Sequence, residues 1–271
     1  MELKKYLSSE LEEDARLGTG GTPRRGQDPA AYPGEAALFV DPADPDLVVR
    51  STPQSYVARP VGDEVRPAVL IVHENKGLTA YVMNVARRLA KLGYVAVAVD
   101  LLGGQGGTAS FASTEDVIAA IYAMDDATVV TIVRESLARI AAEPTVDANR
   151  IGILGFCYGG GVTWRTLTSE HGFAAAIVCY GPNPRLELVP DITTPVLGIY
   201  GELDERITPT VDEMRTAMSR HGKLFEVMIF EGGLHGFHND TNPERYHPQR
   251  AGQAWDAMVS WLARWLGATG A

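Results

Sequence analysis

From Asp46 onward the apolar positions of the chain fall into two alternating rhythms. Leu47-Val48-Val49 and Tyr56-Val57-Ala58 suggest an antiparallel strand pair at a sheet edge. Ala68 to His73, Tyr94 to Val99, Ile151 to Phe156, Ala174 to Tyr180, Pro195 to Tyr200 and Leu224 to Phe230 are near-continuous apolar runs, the pattern of parallel strands covered on both faces. Between them the period lengthens to that of a helix. Tyr81 to Leu92 repeats Val82, Val85, Ala86 and Leu89, with Arg87-Arg88 expected on the solvent side. Thr114 to Glu143 is helical with a break around Met124 to Ala127, and Pro144 stops it. Further helices are expected from Tyr158 to about Ser169, from Pro209 to Arg220, and from Pro248 to Leu266, the last through Ala254, Met258, Trp261, Leu262 and Trp265. Strands alternating with helices at this spacing predict an α/β fold, a mostly parallel central sheet flanked by helices on both faces. Ligands bind such sheets at the carboxyl ends of the strands.

Residues 1–45 read differently. Leu3, Tyr6, Leu7 and Leu11 recur at helical spacing, and Gly18 to Gly34 is polar and rich in Gly and Pro, so an N-terminal arm is expected ahead of a domain over 46–271. The chain has 271 residues, 45% of them hydrophobic, enough to bury a large core without disulfides or metal. Its formal net charge of -10 argues against a nucleic-acid partner. No run is long enough to cross a bilayer, and Arg24-Arg25 is followed by no apolar stretch of an export signal, so a cytoplasmic protein is expected. With two cysteines, Cys157 and Cys179, no disulfide framework is suggested.

The candidate chemistry centres on Gly155-Phe156-Cys157-Tyr158-Gly159, a strand, a tight turn and a helix start with Cys157 at the point of the turn. A nucleophile held in a strained turn needs small neighbours two residues away, which Gly155 and Gly159 supply. The helix starting at Tyr158 favours a thiolate at Cys157 and an oxyanion beside it. A thiol of ordinary pKa also needs a base, and the base an acid to fix its tautomer. Asp204 follows the strand ending at Tyr200, and His235 follows the strand ending at Phe230. The order nucleophile, acid, His is that of the α/β-hydrolases. Glu202 and Glu205 are the rival acids. His235-x-x-His238 could hint at a metal, but the pair lacks the helical spacing and partner Glu of a zinc hydrolase, and no metal or other cofactor is expected. His73-Glu74-Asn75 ends a buried strand on the same edge. The N-H groups of Asn75 and Tyr158 are placed to form an oxyanion hole, and Glu74 to modulate the thiol or to pair with an arginine such as Arg206. Gly103 to Gly107 is expected as a flexible pocket rim.

With these residues in place the chain from about Ser55 to Leu266 resembles the dienelactone hydrolase (carboxymethylenebutenolidase) family of α/β-hydrolases. The resemblance rests on His73-Glu74-Asn75-Lys76-Gly77-Leu78, Gly155-Phe156-Cys157-Tyr158-Gly159-Gly160-Gly161, Gly201-Glu202-Leu203-Asp204-Glu205-Arg206 and His235-Gly236-Phe237-His238-Asn239-Asp240. It implies a Cys157-His235-Asp204 triad, an acyl-enzyme intermediate, no metal, and a glutamate at Glu74 that interacts with the nucleophile. Members that open dienelactone hold its carboxylate with two arginines, whose positions here are Gly104 and Asn239. A neutral ester or lactone is therefore the expected small-molecule substrate, with Gly104, Asn239 and His238 as candidate substrate-binding residues. Acyl transfer or thioester cleavage on the same triad, and a non-catalytic binding or redox-sensing role for Cys157, are the rival readings. A monomer or homodimer is expected.

Overall fold

The computed structural model describes residues 39–267; the expected arm helix and the Gly18 to Gly34 stretch lie outside them. Eight strands form one sheet in the order β1-β2-β4-β3-β5-β6-β7-β8. These are β1 (Leu47–Thr52), β2 (Ser55–Pro60), β3 (Arg66–Val72), β4 (Val95–Val99), β5 (Val146–Phe156), β6 (Ala175–Cys179), β7 (Val196–Gly201) and β8 (Phe225–Phe230). β1, β2 and β4 pair antiparallel, and every other neighbouring pair is parallel. β4, β6 and β7 are buried along their whole length, which explains why they read as uninterrupted apolar runs rather than as alternation.

Six described helices connect and cover the strands: α1 (Ala80–Lys91), α2 (Thr114–Ala123), α3 (Asp126–Ala141), α4 (Tyr158–Leu167), α5 (Val211–Arg220) and α6 (Pro248–Leu266). The expected interruption between α2 and α3 falls at Met124 and Asp125. Met124 is extended, and the Asp125 side chain accepts from the Thr128 N-H to cap α3. β5 starts earlier than its apolar run, because Val146 pairs with Arg66 across a register shift before Ile151 pairs with Ala68.

α1 departs from expectation. Arg87 and Arg88, assigned to the solvent side, are both buried. Arg87 donates through Nε to the Val40 carbonyl at 2.6 Å and through Nη1 to the Tyr56 hydroxyl at 2.8 Å. The Arg88 guanidinium lies 3.6 Å from the centre of the Trp255 ring. An apolar stripe marks only the face toward the sheet; here segments from both ends of the described chain cover the other side as well, and long arginine stems are buried under them. Val40 also donates to Asn84, and Lys91 bridges Asp44 and Asp46, so residues 40–46 are bonded along α1.

Candidate active site

β5 delivers Cys157 into a left-handed backbone conformation, φ 53° and ψ -116°, immediately before α4. The cost of that strain is met by close packing around the turn. A Cβ at Gly155 would run into the Gly159 carbonyl and Thr163, and one at Gly159 would strike the carbonyls of Val72 and His73. The two glycines thus let α4 approach β3 and β5 closely, and the Cys157 N-H donates to the Cys179 carbonyl at 2.9 Å. Cys157 sits at the N-terminus of α4, where unpaired N-H groups and the helix dipole favour negative charge.

His235 Nε2 lies 3.1 Å from Cys157 Sγ, and His235 Nδ1 lies 2.6 Å from Asp204 Oδ2. All three side chains are buried. The other carboxylate oxygen of Asp204 accepts from the N-H groups of Arg206 and Ile207, at 3.2 and 3.1 Å. Burial works to raise the Asp204 pKa, but the facing His235, its hydrogen bond and the Ile207 N-H together hold it below the ordinary carboxylate value. An ionised Asp204 keeps the proton on Nδ1, so Nε2 faces the sulfur as acceptor from a thiol or donor to a thiolate. Glu202 and Glu205, the rival acids, are both exposed, and Glu202 accepts from the Gly232 N-H. The His235 ring rests against Tyr180, 5.1 Å between centroids, and its carbonyl accepts from Arg245 Nη1 at 3.4 Å.

Glu74 is 9% exposed and accepts from Asn239 Nδ2 at 2.7 Å. Burial raises its pKa, only partly offset by His235, Lys76 and the Asn239 hydrogen bond. Asn239 Oδ1 takes the N-H and hydroxyl of Thr241, so this amide is oriented toward Glu74 from both ends. The side chains of Asn75 and Tyr158 turn toward the end of α2. Asn75 Nδ2 reaches the Tyr122 hydroxyl at 3.5 Å, the Tyr158 hydroxyl donates to the Ile121 carbonyl at 3.4 Å, and the two tyrosine rings meet edge to face.

The expected substrate contacts separate. Gly104 is exposed on a short 3-10 turn with open space around its Cβ position. His238 is interior: Nδ1 lies 2.6 Å from the Tyr81 hydroxyl, Phe156 stacks on the ring, and Trp255 lies near it. Burial, aided by Arg88, pushes its pKa down to about 3. These contacts make His238 a neutral residue of the interior, packed between Tyr81, Phe156 and Trp255. The Gly103 to Gly107 segment, expected to be flexible, is pinned by Asp100, whose carboxylate accepts from the N-H groups of Leu102 and Thr108. Sequence reasoning passed over Tyr180, which has φ 38° and follows β6 on the same edge as Cys157. Its position just past a buried strand was the available signal. For Arg245 there was none.

A nucleophile at the carboxyl edge of a parallel sheet, followed in chain order by an acid and a histidine after later strands, defines an α/β-hydrolase. Residues 54–266 match the sequence profile of the dienelactone hydrolase family. The chain belongs to that family and is a hydrolase. A protein of Methylorubrum extorquens provisionally named carboxymethylenebutenolidase is 29% identical over 223 residues, 78% of this chain and 76% of that one. A provisionally named carboxymethylenebutenolidase of Salmonella typhimurium is 30% identical over 80% of this chain and 84% of its own length. The crystal structure of a provisionally assigned dienelactone hydrolase from Klebsiella pneumoniae superposes with a TM-score of 0.72 at 29% identity, covering 80% of this chain and 98% of that one. Among the described residues, no helix is long and apolar enough to cross a membrane, and no group of three or more His, Cys, Asp or Glu is arranged to hold a metal ion.

Proposed function

We propose that this protein hydrolyses neutral carboxylic esters or lactones through Cys157, His235 and Asp204. The observation that carries the reading is the unbroken line Asp204 Oδ2, His235 Nδ1, His235 Nε2, Cys157 Sγ, with contacts of 2.6 and 3.1 Å. The Cys157 sulfur attacks the carbonyl carbon while its proton passes to His235 Nε2, and the carbonyl oxygen takes the negative charge beside the N-H groups of Asn75 and Tyr158. Collapse of the tetrahedral adduct breaks the bond to the alcohol oxygen, which leaves with the proton from Nε2. Water then gives a proton to Nε2, attacks the acyl-enzyme, and returns Cys157 and a carboxylic acid. Glu74 modulates the thiol from beside the site. A neutral substrate is supported by two features: Gly104 has no side chain, and the Asn239 amide is committed to Glu74, so neither offers a cation to a substrate carboxylate. Residues 46–271 constitute the hydrolytic domain in this reading.

The test is intact mass spectrometry during turnover of a panel of p-nitrophenyl esters and small lactones, with Cys157→Ala in parallel. Wild-type protein is expected to gain an acyl mass transiently and the variant to show neither acylation nor turnover. Undiminished turnover by Cys157→Ala would rule out the mechanism.

A further inference from the structure

His73 directly follows β3 and is completely buried, yet the reaction above does not use it. Both ring nitrogens are engaged. Nε2 accepts from the Leu101 N-H at 3.1 Å, and Nδ1 lies 2.6 Å from the Glu74 carbonyl oxygen. A backbone N-H can only donate and a carbonyl can only accept, so the ring is neutral with its proton on Nδ1. Burial, which pulls its pKa down, favours the same neutral form.

The Glu74 carbonyl and the Asn75 N-H belong to one peptide unit, and no described peptide is cis. In a trans unit the two groups point in opposite directions. β3 lies between β4 and β5. His73 reaches to Leu101 at the end of β4 and draws the Glu74 carbonyl toward itself, while the Gly77 N-H donates to the same carbonyl at 3.2 Å. In the trans unit this leaves the Asn75 N-H pointing away from the His73 ring, and β5, the neighbour of β3 on the side opposite β4, is the strand that leads to Cys157 and Tyr158. A second brace holds the rest of the turn: the Leu78 N-H donates to the Thr108 hydroxyl, which donates to Asp100. We infer that His73 is a positioning residue for the oxyanion site, setting the direction of the Asn75 N-H through the Glu74 carbonyl. This rests on the proposed attack by Cys157 on an ester.

The two bonds of His73 can be removed separately. His73→Asn keeps an N-H donor near the place of Nδ1 and loses the acceptor at Nε2; His73→Gln keeps an acceptor near Nε2 and loses the donor at Nδ1. Two rates are measured for each: acylation of Cys157 by p-nitrophenyl acetate, which passes through an oxyanion, and alkylation of Cys157 by iodoacetamide, which does not. Cys157→Ala supplies the background for both. In His73→Gln the ratio of acylation to alkylation should fall by about 100-fold, the scale of misdirecting one oxyanion donor. His73→Asn should recover most of that loss. If the Gln variant does not fold, the Asn variant decides alone, because a ratio as low as about 100-fold below wild type would overturn the proposal. A wild-type ratio in a folded Gln variant, or a parallel loss of both rates, would also overturn it. Wild-type protein that alkylates but never acylates would instead refute the nucleophile reading and take this one with it.

Discussion

Burial dominates the chemistry of Glu74. It raises the carboxyl above its ordinary 4.5, and neither His235, Lys76 nor the Asn239 amide cancels the effect. The folded protein therefore binds a proton at Glu74 more readily than the unfolded chain does. The stability that this group contributes is fully present below pH 4.5 and is lost as pH rises through the raised value. Glu74→Gln keeps a neutral acceptor for Asn239 and removes that dependence. Its melting temperature relative to wild type should rise between pH 4 and pH 8 by differential scanning calorimetry, and a pH-independent difference would contradict the assignment. Asp204 has the opposite balance, since hydrogen bonds and His235 outweigh burial. Two buried carboxylates near one histidine are thus separated by their surroundings. The sequence shows both as acidic residues after strands and cannot show which hydrogen bonds each receives.

At the scale of elements, the seam between β3, β5 and α4 depends on glycine. An alanine at Gly159 would place Cβ against the backbone of Val72 and His73, neither of which can swing aside. Gly159→Ala should destabilise by about 3 kcal/mol or more and abolish activity, since overpacking of this kind displaces the elbow itself. Gly252, inside α6, has open space around its Cβ position. Gly252→Ala should stabilise by about 0.5 to 1 kcal/mol through helix propensity alone. Urea denaturation of both variants tests the contrast. The Gly-x-Cys-x-Gly spacing made the seam legible in the sequence because the requirement is local. The burial of Arg87 and Arg88 was not legible, since it depends on Val40 and Trp255, chain segments that a helical period cannot report.

Across the whole molecule, the three residues of the proposed triad come from strands of unequal shelter. Cys157 follows β5 in the middle of the sheet, Asp204 follows β7, and His235 follows β8 at the edge. β8 leaves Met228 and Ile229 40% and 46% exposed, while Val69 to Val72 of β3 have no exposure. Hydrogen exchange should show β3 and β6 amides opening only with global unfolding, and β1 and β8 amides opening earlier. Equal protection across the sheet would show that the edge is as cooperative as the centre. In mild urea His235 should therefore be released before Cys157.

The amino-acid sequence by itself determined the alternation of strands and helices, the glycine-flanked turn at Cys157 and the placing of Cys157, Asp204 and His235, in that chain order, after strands of one sheet. Each is encoded in periodicity or in spacing over a few residues. Only the tertiary structure decided that His238 packs under Tyr81 and Phe156, that Asn239 serves Glu74, and that the His73 ring ties the end of β3 to the end of β4. Those outcomes turn on which distant atoms meet a given side chain once the interior has closed, and the chemistry of a buried polar group is set by that partner rather than by its neighbours in the chain.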